Sequence, residues 1–456
     1  MVVRNTIRLG NFLLRHLLWQ IRLRKRLTGF LLCLLFVIVL ILMPAERRYA
    51  EYEGPCPEIV WALDAQGLSA EDGYFYDPLK VLQCKRIIDG DPIETQRAES
   101  FAGCTLLYDT ADSEYLGLLP DCDNYKKFQY TDFVQTEEEE NFGIAYSLLM
   151  YESVFQVERL LQTIYRPQNS YCIHVDAKAK PETYNAIASI AKCFDNIVMA
   201  PHRVDVVYGL FPVLEAEISC LKALWGFPKW KYFINLTGRE FPIRTNWELV
   251  QILKAYNGSN DVLGYHKGRP WSWTAVKWWA HQLPSPFLKS SPPHNFRIVK
   301  GSTHIAVTRD FVDYVLHNQK AKDLYEWMRD VRVPDEQYFN TLSHNPDLNI
   351  PGAYKGLPDE KDFLVRYKLW RQFHDICHGQ FIHGICIFGV RDLFNLTRSP
   401  KLFANKFRMD VDSVAYTCME MWLHNRTMEG QNRKFNVSFY ANQPWVKNHI
   451  PSKSVA

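Results

Sequence analysis

The sequence predicts an α/β fold whose ordered half is a parallel sheet covered by helices. Three observations carry this. Between residues 141 and 236, short apolar runs alternate with segments whose apolar residues recur at helical spacing, joined by short connections. One of those runs ends in a carboxylate, Asp176, and parallel sheets bind ligands beyond the carboxyl ends of their strands. No Gly-x-Gly-x-x-Gly or Walker-type phosphate loop follows the first run, which argues against dinucleotides and ATP.

Taken in order, the chain opens with a basic tail (residues 1–26) and an uninterrupted apolar run, Leu27 to Met43. That run is near the lower limit of a spanning helix, roughly 17 residues. Arg22, Arg24, Lys25 and Arg26 precede it, and Pro44-Ala45-Glu46 is a poor cleavage site, so the run predicts an uncleaved signal anchor. The basic cluster puts the tail in the cytoplasm and the remainder in a lumen. Ten cysteines outside the anchor suit an oxidising lumen, as do exposed-type glycosylation sequons at Asn257, Asn395, Asn425 and Asn436. A fifth sequon, Asn235, lies in an apolar strand-like run and is expected to stay unmodified. Residues 44–140 read as a stem and Cys-rich segment, with Glu137 to Glu140 as a solvated linker, and 141–456 as the catalytic domain. A net charge of +3 over 456 residues gives no reason to expect nucleic acid.

From Asn141 the elements are sharper. GIAYSLLMY is a buried strand, and Val154 to Ile164 a helix ended by Arg166-Pro167. SYCIHVD is a second strand, PETYNAIASIAKC a helix with Pro181 at its start, and NIVMA a third strand. Val213 to Trp225 is a helix and KYFINL a strand. The second half is less regular: a tryptophan-rich block (Trp271, Trp273, Trp278, Trp279), a Pro-rich loop, the strand THIAVT and a helix from Arg309. The tryptophans suit either sugar stacking or a core.

The chemistry is expected at VRVPDEQYFNTL, Val331 to Leu342. Pro334 suits a first helical turn, Asp335 and Glu336 favour the positive helix end, and Tyr338, Phe339 and Leu342 pin the helix to a core. Such a start can present Glu336 as a general base. Three Asp-x-Asp pairs (Asp89/Asp91, Asp121/Asp123, Asp410/Asp412) could in principle hold a divalent metal, but none follows a strand end, so no metal is expected. His374, Cys377, His378, His383 and Cys386 could be drawn as a zinc cluster; a Cys377–Cys386 disulfide is the preferred reading in an oxidising lumen. Lys406, alone inside the apolar run LFANKF, needs an anionic partner: a ligand diphosphate, or Asp410.

From about Ile144 to Leu423 the chain resembles the core-2/I-branching β-1,6-N-acetylglucosaminyltransferases, glycosyltransferase family 14. The resemblance rests on AYSLLMYES, RLLQTIYRPQNSYCIHVDAKA, WKYFINLTGREFPIRTN, GSTHIAVTRDFVDYVL, PDEQYF, ICIFGVRDL and LFANKFRMDVD in order. It implies a GT-A-like glycosyltransferase fold, with a Rossmann-like nucleotide half and an acceptor half, behind the signal anchor and stem. It also implies inverting transfer from a UDP-sugar without a metal or other cofactor, in a single-pass type II protein of the Golgi membrane.

By position in those motifs, Glu336 falls on the general base. Leu149, Asp176 and Tyr208 fall on the nucleoside pocket, Lys406 on one of two diphosphate cations, and Trp370 near an acceptor-stacking tryptophan. The second diphosphate cation is replaced by His383, with Arg391 as a nearby substitute. The same resemblance implies disulfides Cys56–Cys418, Cys122–Cys193, Cys172–Cys220 and Cys377–Cys386, leaving Cys84–Cys104. The expected partners are a UDP-sugar and an O-glycan or glycoprotein acceptor whose 6-hydroxyl is glycosylated, GlcNAc being the first choice of sugar. A homodimer through the stem stays open. UDP-glucose as donor, a protein O-xylosyltransferase-like activity and a non-catalytic sugar-binding protein are the alternatives.

Overall fold

A computed structural model describes residues 82–102, 122–129, 135–265, 272–278, 284–358, 363–430 and 434–454. The signal anchor, Cys56, Cys104 and Asp121 lie outside the described residues. No helix among the described residues is long and apolar enough to cross a membrane. In chain order the strands are β1 (Gly143–Met150), β2 (Ser170–Val175), β3 (Ile197–Met199), β4 (Trp230–Thr237), β5 (Glu240–Pro242), β6 (Asp261–Val262), β7 (Val276–Trp278), β8 (Pro284–Leu288), β9 (Ile305–Thr308), β10 (Arg366–Tyr367), β11 (Gln380–Ile382), β12 (Ile385–Ile387) and β13 (Phe403–Asn405).

Six of these form the main sheet, in the order β3-β2-β1-β4-β9-β6. β1 to β4 run parallel, in the expected βαβ manner, while β9 and β6 pair antiparallel at the far side. The result is a mixed α/β fold with a parallel-dominated sheet. Both faces are covered, so the central strands are apolar on both sides. On β1, Ile144, Tyr146 and Leu148 point into one core with helices Val154–Ile164, Pro181–Lys192 and Asn246–Ala255. Ala145 points into the other, with helices Phe211–Trp225, Arg309–His317 and Tyr338–Ser343.

A smaller sheet, β10-β13-β5, hangs from the carboxyl end of β4 and carries Arg366, Glu240 and the approach to Lys406. A third core packs Leu82, Cys84 and Ile87 against Phe388, Tyr416 and Met419. Here the expected cystine pattern is corrected. Cys418 is bonded to Cys84, with Cα atoms 5.1 Å apart, so neither Cys56–Cys418 nor Cys84–Cys104 forms. Helix Cys84–Ile88 lies directly on helix Ser413–Glu429, which fixes the choice. Cys122–Cys193, Cys172–Cys220 and Cys377–Cys386 are each bonded, so the Cys377–Cys386 sulfurs are not zinc ligands.

Glu137–Glu140 is also not a solvated linker. Thr136 and Glu139 close a capping box around a short helix. Glu139 is buried and accepts from Asn246 Nδ2 at 2.7 Å, and Glu138 pairs with Lys254 and Gln251, so two of the four charges have structural partners that local composition hides.

Candidate active site

The Glu336 segment departs from the simple helix start that its sequence suggests. Pro334–Glu336 is a single 3-10 turn, Gln337 breaks the geometry at φ −131°, and the α-helix begins at Tyr338. Val333 ahead of it sits at φ 53°, a costly conformation for a β-branched residue. Its N–H donates to Gly209 O at 2.9 Å, and the Arg332 guanidinium donates to the same carbonyl at 3.3 Å. Gly209, at φ 71°, thereby ties the Tyr208 loop to the Glu336 turn. Tyr208 is 78% exposed; partial desolvation, then the nearby charges of Glu336 and Asp335, raise its pKa.

Glu336 itself is half-buried and meets the Lys300 ammonium at 2.6 Å. Lys300 also donates to Tyr265 Oη at 2.8 Å, and the next N–H, of Gly301, donates to Glu336 O at 2.8 Å. Burial works against the Lys300 charge, but the Glu336 carboxylate and these hydrogen bonds outweigh it and raise its pKa. Asp335 is raised too, but toward its neutral form: burial, then the charge of Glu336, lift it to about 7, and its Oδ1 has no hydrogen-bond partner. Of the two adjacent carboxylates, Glu336 is the one that faces an ammonium.

Behind Glu336 runs a buried polar chain. Lys368 Nζ donates to Ser302 Oγ at 2.9 Å and approaches His304 Nδ1 at 3.4 Å. His304 Nε2 lies 2.6 Å from Glu240 Oε1, and Arg366 holds Glu240 Oε2 at 2.8–2.9 Å. Burial pushes Lys368 down to about 8 and His304 down to about 4, against the pull of Glu240 and, for Lys368, of Glu336. Burial opposes the Glu240 charge, but Arg366 and His304 overcome it and hold the carboxyl at about 2. Asn405 Nδ2 completes the chain on Glu240 Oε1 at 2.8 Å, one residue before Lys406. Trp370 flanks the same chain, with the Lys368 ammonium 5.9 Å from its ring centroid.

The expected nucleoside-side residues gather at the carboxyl ends of the parallel strands. Leu149 is the penultimate residue of β1, in register with His174 of β2 and Thr237 of β4. Asp176 follows β2; its Oδ1 accepts from Lys178 N at 2.8 Å, and the Lys178 ammonium reaches from Asp176 to Val206 O at 2.6 Å. Lys178 thus joins Asp176 to the loop that leads to Tyr208.

Two expected residues are not brought in. Arg391 is an exposed surface residue bound through both guanidinium edges to Glu99, at 2.7 Å on one side. His383 occupies the exposed turn of the β11–β12 hairpin, at φ 51° before Gly384 at φ 83°. That is the geometry of a two-residue turn, and it sets the hairpin.

A family model described as the core-2/I-branching enzyme matches residues 144–397, over half of the chain. The human N-acetyllactosaminide β-1,6-N-acetylglucosaminyl-transferase is 34% identical over 321 residues, covering 68% of this chain and 79% of its own. The chain belongs to the core-2/I-branching enzyme family. Two further human members show how far the match extends. The β-1,3-galactosyl-O-glycosyl-glycoprotein β-1,6-N-acetylglucosaminyltransferase is 32% identical over 374 residues, covering 77% of this chain and 87% of its own. The relative named β-1,3-galactosyl-O-glycosyl-glycoprotein β-1,6-N-acetylglucosaminyltransferase 3 is 36% identical over 339 residues, covering 70% and 77%.

The family match contains Glu336, Lys300 and Lys368 but ends before Lys406. Lys300 and Lys368 escape the sequence reading because nothing local marks them; Lys300 meets Glu336 across 36 residues. Glu240 did carry a signal. A charge inside the apolar run WKYFINLTGREFPI demands a buried partner.

Proposed function

We propose that this core-2/I-branching enzyme transfers GlcNAc from UDP-GlcNAc, with inversion, to the 6-hydroxyl of a sugar in an O-glycan or related glycoprotein acceptor, forming a β-1,6 branch. The observation that carries the mechanism is the half-buried Glu336, fixed on a strained turn and oriented by Lys300 at 2.6 Å. In the reaction, the carboxylate takes the proton of the acceptor hydroxyl, whose oxygen attacks the anomeric carbon. The bond to the diphosphate breaks, and its electron pair leaves with UDP. Lys300 occupies one side of the carboxylate, which leaves the other for the acceptor, and Trp370, whose ring neighbours the Lys368 ammonium, would stack on the acceptor sugar. Lys406 would face the departing diphosphate, where fixed charge accelerates the step. Leu149, Asp176 and Tyr208 would line the nucleoside end, in a GT-A-like arrangement of nucleotide and acceptor halves.

Neutralisation by side chains, without a metal, fits the state of the described Asp-x-Asp residues. Asp91 and Asp412 accept helix N–H groups, and Asp410 pairs with Arg408. Activity should therefore persist in EDTA. Four cystines and exposed Asn257, Asn395, Asn425 and Asn436 support residence in an oxidising lumen, and the apolar run 27–43 supports a type II Golgi anchor.

Radiolabel transfer from UDP-GlcNAc, UDP-Glc and UDP-Xyl to Galβ1-3GalNAc and lactosamine acceptors tests the assignment. Transfer of GlcNAc to a 6-hydroxyl is expected, and no transfer from any donor would reject it. Glu336→Gln should keep the fold and UDP binding while lowering kcat by about 100-fold or more. Near-normal turnover in that variant would remove Glu336 from the role of base.

A further inference from the structure

A nucleoside diphosphate leaving group carries more charge than one ammonium offsets, and the two residues first placed beside Lys406 face elsewhere. The carboxyl ends of β1 and β4 hold another candidate. Arg239, two residues past β4, is only 14% exposed at its side chain and donates to Glu152 Oε1 and Gln156 Oε1, each at 2.7 Å. Its carbonyl accepts the Phe407 N–H at 2.7 Å, which sets its backbone against the residue that follows Lys406.

Gln156 is fully buried in helix Val154–Ile164 and links the same two segments a second time. Its Nε2 donates to Phe407 O at 3.1 Å, and its Oε1 accepts from Met409 N at 3.3 Å as well as from Arg239. One amide therefore clamps Arg239 to the Lys406–Met409 turn. The Lys406 carbonyl accepts from Phe388 N at 3.0 Å, but its ammonium has no hydrogen-bond or ion-pair partner among the described residues. Burial first, and then the like charge of Arg239, lower its pKa. Arg408, the third cation here, is paired with Asp410. Arg239 and Arg408 each have a carboxylate partner and the nearby Glu240 is taken by Arg366, so the buried Lys406 ammonium is left without one, a cost that an incoming polyanion would relieve.

We infer that Arg239 is the second cation facing the leaving diphosphate, and that Gln156 is the positioning residue that holds it beside Lys406. The inference rests on the nucleotide-sugar reading above and adds to it residues that the sequence did not point to. Arg239 would share the charge arriving on the departing phosphate with Lys406, releasing its bond to Glu152, which is 41% exposed and can be hydrated.

The test is calorimetric binding of UDP and of uridine to the full-length chain. Arg239→Gln should weaken UDP about ten- to a hundredfold and leave uridine unchanged, because only the phosphates lose a charged hydrogen bond. Arg239→Lys should recover much of the loss, and Arg391→Gln should match the wild type. Gln156→Met keeps every charge, and should lower the UDP-to-uridine affinity ratio at constant uridine affinity. A fall in both affinities together would reject its positioning role. UDP binding by Arg239→Gln within twofold of wild type, or a large loss in His383→Ala or Arg391→Gln instead, would overturn the assignment alone. Absence of saturable UDP binding by the wild type would overturn the nucleotide-sugar reading, and this inference with it.

Discussion

Glu217 shows how a single buried group couples this fold to pH. It sits in the core beneath the sheet, where Ser147 Oγ donates to one carboxyl oxygen at 2.5 Å and Asn235 Nδ2 to the other at 3.3 Å. Burial outweighs those two bonds and pushes its pKa up to about 7, from 4.5. The folded chain thus keeps a proton that the unfolded chain releases. Its contribution is fully present below about pH 4.5 and is lost as pH rises through about 7. Glu217→Gln retains the shape and can still bond both neighbours. It should stabilise the protein at pH 8 by on the order of 1–3 kcal/mol and change little at pH 4. Thermal melting of both proteins across that range checks the sign. A variant less stable than wild type at pH 8 would mean the carboxylate is ionised and useful there.

At the scale of elements, the site depends on two segments passing unusually close. Gly301 lies between Lys300 and Ser302, both of which serve the site. A Cβ there would come 1.9 Å from Leu263 O and 2.3 Å from Asn340 Nδ2. The Leu263 backbone cannot yield that distance, so Gly301→Ala should push the Lys300–Ser302 segment away from Leu263 and from Asn340 on helix Tyr338–Ser343, and disturb the Lys300–Glu336 pair with it. We expect a loss of about 2–4 kcal/mol of stability together with most of the activity. Denaturant unfolding and transfer assays on the same preparation would check both. The elements of the parallel half were readable in advance, Pro181 and the helix after it being one case, because a period of two or 3.6 is a local property. The Glu336 helix was misread at its start. A Pro-Asp-Glu sequence is equally compatible with a 3-10 turn, and the bond from Val333 to Gly209 decides between them.

For the whole molecule, Cys84–Cys418 closes the chain across 334 residues and fastens its N-terminal described helices to the core of the C-terminal half. Non-reducing peptide mapping should recover a Cys84–Cys418 linked peptide. The double variant Cys84→Ser/Cys418→Ser should lose about 2–5 kcal/mol. Recovery of Cys56–Cys418 instead would contradict the arrangement. Cysteine count alone suited a disulfide framework, but did not say which cysteine meets Cys418, since ten thiols allow many pairings.

The amino-acid pattern by itself determined the α/β class, the parallel strands and the helices between them, and the motif order that marks the family. These depend on periodicity and on contiguous residues. Only the tertiary structure decided which charges meet. Lys300 reaches Glu336, Arg239 reaches the Lys406 turn through Gln156, and Arg391 is drawn off to Glu99. Ion pairs form between residues tens to hundreds of positions apart, and no local spacing encodes the distance that sets their energy.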